Sequence, residues 1–270
     1  MPTIQSPAFI LSGPTASGGG PAPRNQCREG RYTARFAQTA EELDEVLRLR
    51  FEVFNLELNE GLEASYINGR DEDEFDQTCH HLIVVENETG RIVGTYRLRT
   101  METAGSAFGF YSAGEFAVES LPYEVLSESI EIGRACIARE HRNSRVLFLL
   151  WKGLAMYLTE RRKRYLFGCC SLPSQDCADG ARAYRRLVRD ERLHESLRVA
   201  PRPEYLCPAE DFPAADGPIE LPMLFEIYLR LGAKICGAPA IDRRFKTIDF
   251  FVVVDARGIP DRYAKMFFGR

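Results

Sequence analysis

Four histidines and one tryptophan stand among 270 residues, and the eight cysteines include no Cys-x-x-Cys pair. Cys169 and Cys170 are adjacent in sequence and cannot readily bridge each other. A metal or disulfide framework is therefore not expected, and the reduced thiols of a cytoplasmic protein are. Ala8-Phe9-Ile10-Leu11 is too short for the apolar part of a secretory leader, and no basic residue precedes it. No apolar run approaches the roughly 20 residues that cross a bilayer. Positive charge is not in excess either: the formal net charge is −4, which disfavours a nucleic-acid partner.

What is present is an ordinary soluble composition, 45% hydrophobic and 27% charged, with ample material for a core. The charges are segregated. Nine acidic residues lie between Glu52 and Asp76 against Arg70 alone, and eight basic residues lie between Arg139 and Arg164 against Glu140 and Glu160. Two solvated faces would explain this, and so would an acidic mouth beside a basic docking patch. Residues 1–30 are rich in Pro, Gly, Ser and Ala without a period, which predicts a disordered arm. Residues 31–270 show no repeat and no clean boundary, and read as a single α/β domain.

Alternation predicts a strand over Tyr32–Phe36. Thr39, with Glu42 three residues on, predicts a capping box that opens an amphipathic helix carrying Leu43, Val46, Leu47, Arg50, Phe51 and Phe54. The acidic segment 57–76 reads as irregular. His81–Val85 and Ile92–Leu98 read as a hairpin, and 146–157 as a buried helix ended by the basic run Arg161–Arg164. Tyr165–Cys170 reads as a strand, Ala181–Leu193 as a basic helix, and Leu221–Leu231 as a helix stopped by Gly232. Lys234–Ala240 and Thr247–Val254 are expected as closing strands.

The most informative stretch runs from Glu128 to Ala138. Ile130, Ile132, Cys136 and Ile137 give it strand character, yet Glu131 and Arg134 interrupt the apolar run. Residues three apart in a regular strand face opposite ways. A bulge at Gly133 would bring both onto one face and splay the strand. Either a buried structural ion pair or a site of chemistry would account for these residues.

The predicted order is strand, helix, hairpin, central strand, helix, strand, helix, strand, which resembles the GNAT N-acyltransferase superfamily. GNAT enzymes that use coenzyme A usually carry a glycine-rich turn after the central strand. Here the turn is Arg142-Asn-Ser-Arg-Val146, with two arginines and no glycine. Six motifs then follow in order: Arg50-x-x-x-Phe54, Asp71-Glu-Asp73-Glu-Phe-Asp76, His81-Leu-Ile-Val, Gly94-Thr-Tyr-Arg-Leu98, Phe110-Tyr-Ser and Glu131-Ile-Gly-Arg134. The set resembles that shared by acyl-homoserine-lactone synthases and the ornithine N-acyltransferases that make lyso-ornithine lipid. Leu150-Trp-Lys-Gly-Leu-Ala155, Leu166-Phe-Gly-Cys169 and the tail from Tyr228-Leu-Arg-Leu-Gly-Ala233 through Asp242 to Asp249-Phe resemble the ornithine branch. Glu60 stands where lactone synthases tend to carry Trp. The resemblance spans roughly residues 31–255.

It implies a GNAT-like fold: a mixed central sheet with a splayed strand and helices on both faces. It also implies transfer of a (3-hydroxy)acyl group from acyl carrier protein to the α-amine of ornithine, with no bound cofactor and no metal. Other acceptors such as glycine, tyrosine or homoserine lactone stay open, as does a catalytically silent module that binds carrier or lipid. N-acylation by a thioester needs a base for the ammonium, donors for the oxyanion and a hold on a long thioester. Glu131 is the expected base, acting directly or through water, and backbone N–H groups freed at Gly133 are the expected oxyanion donors. Arg134 is expected to fix Glu131 or neighbouring carboxylates. Arg50, Phe54, Asp73, Asp76 and Arg97 match polar and aromatic family positions, and either organise the acidic loop or bind the amino acid. Acyl carrier protein is strongly acidic, so Arg142, Arg145 and Lys152 are expected to meet it or its phosphopantetheine phosphate. The run Arg161–Arg164 reads as a basic helix end.

Phe108, Phe110, Tyr111 and Phe116 would line an acyl tunnel or pack in the core. Cys79-His80-His81 resembles a ligand cluster, but adjacent strand residues diverge. Cys136 and Cys170 have no neighbouring His in sequence and read as inert thiols, and His141 as a surface residue. The expected location is the cytoplasm, with association at the inner membrane face left open.

Overall fold

The computed structural model describes residues 21–207 and 217–269. The expected N-terminal arm falls largely in 1–20, outside them, but Cys27–Glu29, also within the stretch expected as arm, forms a strand, β1. It pairs antiparallel with β2, Tyr32–Phe36. Helix α1, Ala40–Phe51, starts where the sequence predicts, with the Thr39 side chain accepting from the Glu42 amide. Its last turns widen into a π-helix over Glu52–Glu57, and short 3-10 turns carry the acidic segment to Thr78. Then come β3, His80–Glu86, and β4, Ile92–Thr100. The short helices α2, Met101–Ala104, and α3, Tyr123–Ser127, flank a run of 3-10 turns. The remaining order is β5, Ser129–Ile137, α4, Ser144–Glu160, β6, Tyr165–Leu172, and α5, Cys177–Arg189. After it come α6, Met223–Arg230, β7, Lys234–Ile235, β8, Ala240–Asp242, β9, Thr247–Asp255, and α7, Asp261–Phe268.

The strands of the described residues form one nine-stranded sheet in the order β1-β2-β3-β4-β5-β6-β9-β7, with β8 also on β9. The pairing is antiparallel except between β5 and β6. A parallel pair needs a long crossover, which α4 provides. That pair is short, matching Ser129 to Tyr165, Ile130 to Leu166 and Glu131 to Phe167 and no further. Beyond it β5 stays with β4 while β6 turns away with β9. At the fork, a Cβ on Gly168 would sit 2.3 Å from the Ile132 carbonyl oxygen, so only glycine lets the strands approach this closely before parting.

A bulge lies next to the fork. Thr95 pairs with Cys136 and Arg97 with Gly133, so Arg134 and Ala135 together oppose Tyr96. The extra residue is one place later than expected, and Arg134, not Gly133, takes the left-handed backbone at φ 49°. This costs a non-glycine residue roughly 1–2 kcal/mol, which the contacts of its side chain must offset.

Strand residues alternate between faces, and β4 shows which helix lies on which side. Gly94 approaches Val146 and Leu150 of α4, whereas Arg97 reaches Asp76, which also binds Arg50 of α1. The main core lies against α4, with Leu149, Leu150, Trp151 and Leu154 on Leu82, Tyr96 and Leu98. A second core collects Phe110, Phe116, Phe167 and Phe251.

Three expectations are corrected. The closing strand over 234–240 is two short strands, β7 and β8, with a turn between them. Helix α5 begins four residues early because the Asp176 side chain caps it at the Ala178 amide, and α7 was not expected at all. Two thiols are not free: Cys177 and Cys207 are joined in a disulfide, 30 residues apart, leaving six free cysteines.

Candidate active site

The fork between β5 and β6 opens into a cavity of about 370 Å³. One wall is β5 from Glu131 to Ala135, and the opposite wall is Cys169, Cys170 and Ser171 of β6. Phe54 and Leu58 close it from the α1 side, and Phe225 and Tyr228 of α6 from the other. Arg97, Arg99, Tyr111, Asp242, Phe245, Thr247, Asp249 and Glu60 also reach it. Among the described residues the edge of β5 beyond Glu131 has no neighbouring strand on this side, so the backbone there can meet a ligand.

The acidic loop is held by a closed ring of alternating charges. Arg50 binds Asp71 at 2.7 Å and Asp76 at 2.7 Å. Arg97 binds Asp76 at 2.9 Å and Asp73 at 2.6 Å, and Arg134 binds Asp73 at 3.2 Å and Asp71 at 3.1 Å. Each aspartate therefore meets two guanidiniums and each guanidinium two aspartates. Arg50, Asp71 and Asp76 are completely or almost completely buried, and three charges of each sign leave the ring neutral. Burial disfavours the charged carboxylates, but Arg50 and Arg97 outweigh it at Asp76, as Arg134 and Arg50 do at Asp71, and hold both below the usual range. Arg134 also lies between the rings of Tyr111 and Phe245, 4.7 Å and 4.4 Å from their centroids. These contacts hold its strained backbone. Of the residues expected to organise the loop or bind the amino acid, Arg50, Asp73, Asp76 and Arg97 all join the ring, and Phe54 lines the cavity.

Glu131 and Arg134 share the cavity wall, as a bulge requires, but do not pair. Glu131 accepts from the Tyr111 amide at 2.8 Å, the Ser112 amide at 2.7 Å and the Ser112 hydroxyl at 2.6 Å. A carboxylate offers about four lone-pair sites. Three are used, and the fourth, on Oε2, is the one that can take a proton from the cavity.

A second acidic group lies in the same cavity and was not anticipated as a site. Asp249 of β9 and Asp242 of β8 line it, with Glu60 near the mouth, and Glu115 lies behind Asp249. Glu115, Asp249 and Cys169 bring one donor atom each within 4.8 Å of one another, the geometry of a three-ligand metal site among the described residues. Burial, then Asp249 and Asp242, push the Glu115 carboxyl well above its ordinary range, and burial raises Asp249. Burial also pushes the Cys169 thiol well up, so it stays protonated and is a poor metal ligand.

The remaining candidates separate. Arg142 grips Glu57 at 2.5 and 2.6 Å, Arg145 is exposed beside Gly30, and Lys152 lies over the Phe148 ring. The Asn143 side chain accepts from the Arg145 and Val146 amides, so the turn that lacks glycine caps its own helix. Phe110 and Phe116 are core, Phe108 is exposed, and Tyr111 alone of the four lines the cavity. His80 bonds the Tyr157 hydroxyl and His81 the Asp76 carbonyl, so the two do not converge. His141 is buried against the Tyr32 hydroxyl, which corrects its reading as a surface residue.

The chain matches the acetyltransferase (GNAT) domain family over residues 49–152. It is 33% identical over 249 residues to L-ornithine N(alpha)-acyltransferase of Rhizobium meliloti (strain 1021), covering 87% of this chain and 84% of the relative. To the enzyme of that name from Brucella abortus (strain 2308) it is 34% identical over 250 residues, covering 87% and 88%. Among solved structures it is similar to a CoA-dependent acyl-homoserine lactone synthase, BjaI, with a TM-score of 0.50 and 15% identity over 86% of this chain and 82% of that one. That likeness is one of fold, and the fold is the mixed α/β GNAT type.

Proposed function

The chain belongs to the L-ornithine N(alpha)-acyltransferase family, and from that premise we propose that it moves a (3-hydroxy)fatty acyl group from acyl carrier protein to the α-amine of ornithine, giving lyso-ornithine lipid. The observation that carries this reading is the forked pair β5 and β6, which encloses the cavity with Glu131 on its wall. The amine enters as an ammonium. Glu131 takes its proton at the open site on Oε2, directly or through water. The freed nitrogen attacks the thioester carbonyl, a C–N bond forms, and the C–S bond breaks, so that the carrier's thiolate leaves and collects the second proton, which the nitrogen gives up as it becomes an amide. Backbone N–H groups on the unpaired edge of β5 stabilise the oxyanion in between. Arg134 positions the bulge and does not touch the reacting atoms.

The basic side chains of α4, Arg145, which is exposed, and Lys152, which is half-buried, supply the docking surface for the acidic carrier. No described helix is long and apolar enough to cross a membrane. Leu56, Tyr66 and Ile67 are exposed on the segment that also supplies Phe54 and Leu58 to the cavity, which supports release of the product at the membrane surface from the cytoplasmic side. The test is expression in a bacterium that lacks aminolipids, followed by lipid mass spectrometry. A mono-acylated ornithine is expected. Soluble, folded protein that yields no acyl-amide would sink the reading, and mono-acylated glycine would change the acceptor.

A further inference from the structure

Asp71, Asp73 and Asp76 have their charges matched within the fold, so these three aspartates have no charge left over for an acceptor. The carboxyls around Asp249 are different. Among the described residues no ion pair reaches Asp249, Glu115 or Asp242. Asp242 gives one oxygen to the Arg244 and Phe245 amides. Asp249 Oδ1 and Glu115 Oε2 are buried with no donor in reach other than a proton shared between the two carboxyls. Thr247 Oγ1, which is not part of the acidic group, is also buried without a partner and lines the same cavity. Buried polar groups are usually paired, so acceptors gathered on one cavity in this way are open to a donor that a ligand brings. Glu60 adds a fourth carboxyl near the cavity mouth, pushed up first by burial and then by Asp249.

We propose that Asp249, with Glu115 beside it and Thr247, Asp242 and Glu60 around it, is the seat of the side-chain ammonium of the acceptor, and so selects a basic amino acid of ornithine length. This rests on the acyl-transfer reading given above. The chemistry fits an ammonium, which brings three donors and one positive charge to carboxyls that no guanidinium pairs and to a hydroxyl that can accept. The placement fits as well. Cys169 Sγ, one corner of the group, lies 3.7 Å from Ser112 Oγ, which donates to Glu131. Two side-chain contacts thus separate the ammonium seat from the base, which suits a substrate whose two amines are spaced by a short methylene chain. The charge balance changes on binding. Without a cation, the neighbouring carboxyls hold a proton between them, and an ammonium allows both to ionise.

The test compares kcat/KM for ornithine with that for norleucine, which replaces the side-chain ammonium by a methyl group of similar size. Wild-type protein is expected to favour ornithine by about 100-fold or more. Asp249→Asn and Glu115→Gln should each cut that ratio at least tenfold, through a higher KM for ornithine. Wild-type protein that acylates both amino acids equally well overturns the proposal and leaves acyl transfer intact. Wild-type protein that acylates neither removes the acyl-transfer reading itself. A preference that persists in both folded variants, or one that a chelator abolishes, overturns the ammonium seat, in the latter case in favour of a metal held by Glu115, Cys169 and Asp249.

Discussion

The ring of Arg50, Arg97 and Arg134 with Asp71, Asp73 and Asp76 lies against the same cavity as Asp249, Glu115 and Asp242, yet the two groups are built on opposite principles. In the ring, every carboxylate is matched twice over by guanidiniums. In the second group, carboxyls crowd one another, and burial and mutual repulsion raise Glu115 and Asp249 where guanidiniums lower Asp71 and Asp76. A charge set neutralised inside the fold supports structure. A set left unneutralised in a cavity waits for a counter-charge from outside. Acidity alone therefore does not mark a substrate site; the absence of an internal partner does.

The sharpest way to break this contrast is to open the ring. Arg50→Met leaves Asp71 and Asp76 buried with one guanidinium each and should cost about 3–5 kcal/mol in denaturant unfolding; a loss under about 1 kcal/mol would make the ring ornamental. His81 sharpens the same side. Burial holds its imidazole down to about 4 against the Asp76 carbonyl. Between pH 6.5 and 4 the unfolded chain binds this proton and the folded chain does not, so stability falls as pH drops through that window, by about 3 kcal/mol in all. His81→Gln, which keeps a donor for the carbonyl, should flatten that slope. Below it, Asp71 and Asp76, lowered in the fold, lose their stabilising contribution as pH falls past about 3.9.

Asp249→Asn probes the other group and should act in the opposite direction. Raised carboxyls make stability fall as pH rises from the unfolded carboxylate range toward their folded values. Removing one should leave the protein as stable at pH 7 or more so, on the order of 1 kcal/mol, while acceptor selection suffers. In the wild type, ornithine should bind more tightly as pH rises through the titration of these groups, since the seat needs carboxylates. The groups facing Asp249 in that titration are Glu115, Asp242, Glu60, Cys169 and Cys170, and the cation Arg134 acts on Glu115. The smallest effect is expected at Arg142, whose pair with Glu57 is half-exposed. Arg142→Ala should cost a few tenths of a kcal/mol, and a large rise in KM for the carrier would reveal a docking role instead.

Much of this was legible in the residues. An acid inside the apolar run Ile130–Ile137 marked β5, and Thr39 with Glu42 marked the start of α1, because both signals are local. The bulge was legible but misplaced by one residue, since the sequence shows a glycine and not the ring of aspartates that holds Arg134 in the left-handed region. The ammonium seat was missed because residues 60, 115, 242 and 249 meet only through the fold. One signal was available: Asp249 interrupts the apolar strand Ile248–Val254 just as Glu131 interrupts β5. The Cys177–Cys207 bridge carried none, because spacing alone does not say which cysteines a fold brings together.

The most direct measurement is the acyl-transfer rate of Glu131→Gln with two nucleophiles, ornithine and hydroxylamine, each over its uncatalysed rate. Ornithine arrives protonated and needs a base, whereas hydroxylamine is already largely neutral at pH 7. If Glu131 takes the proton in the forked cavity, the variant should lose about 100-fold or more with ornithine and recover much of its rate with hydroxylamine. Equal losses with both nucleophiles would contradict it and reduce Glu131 to the anchor of the Tyr111–Ser112 turn.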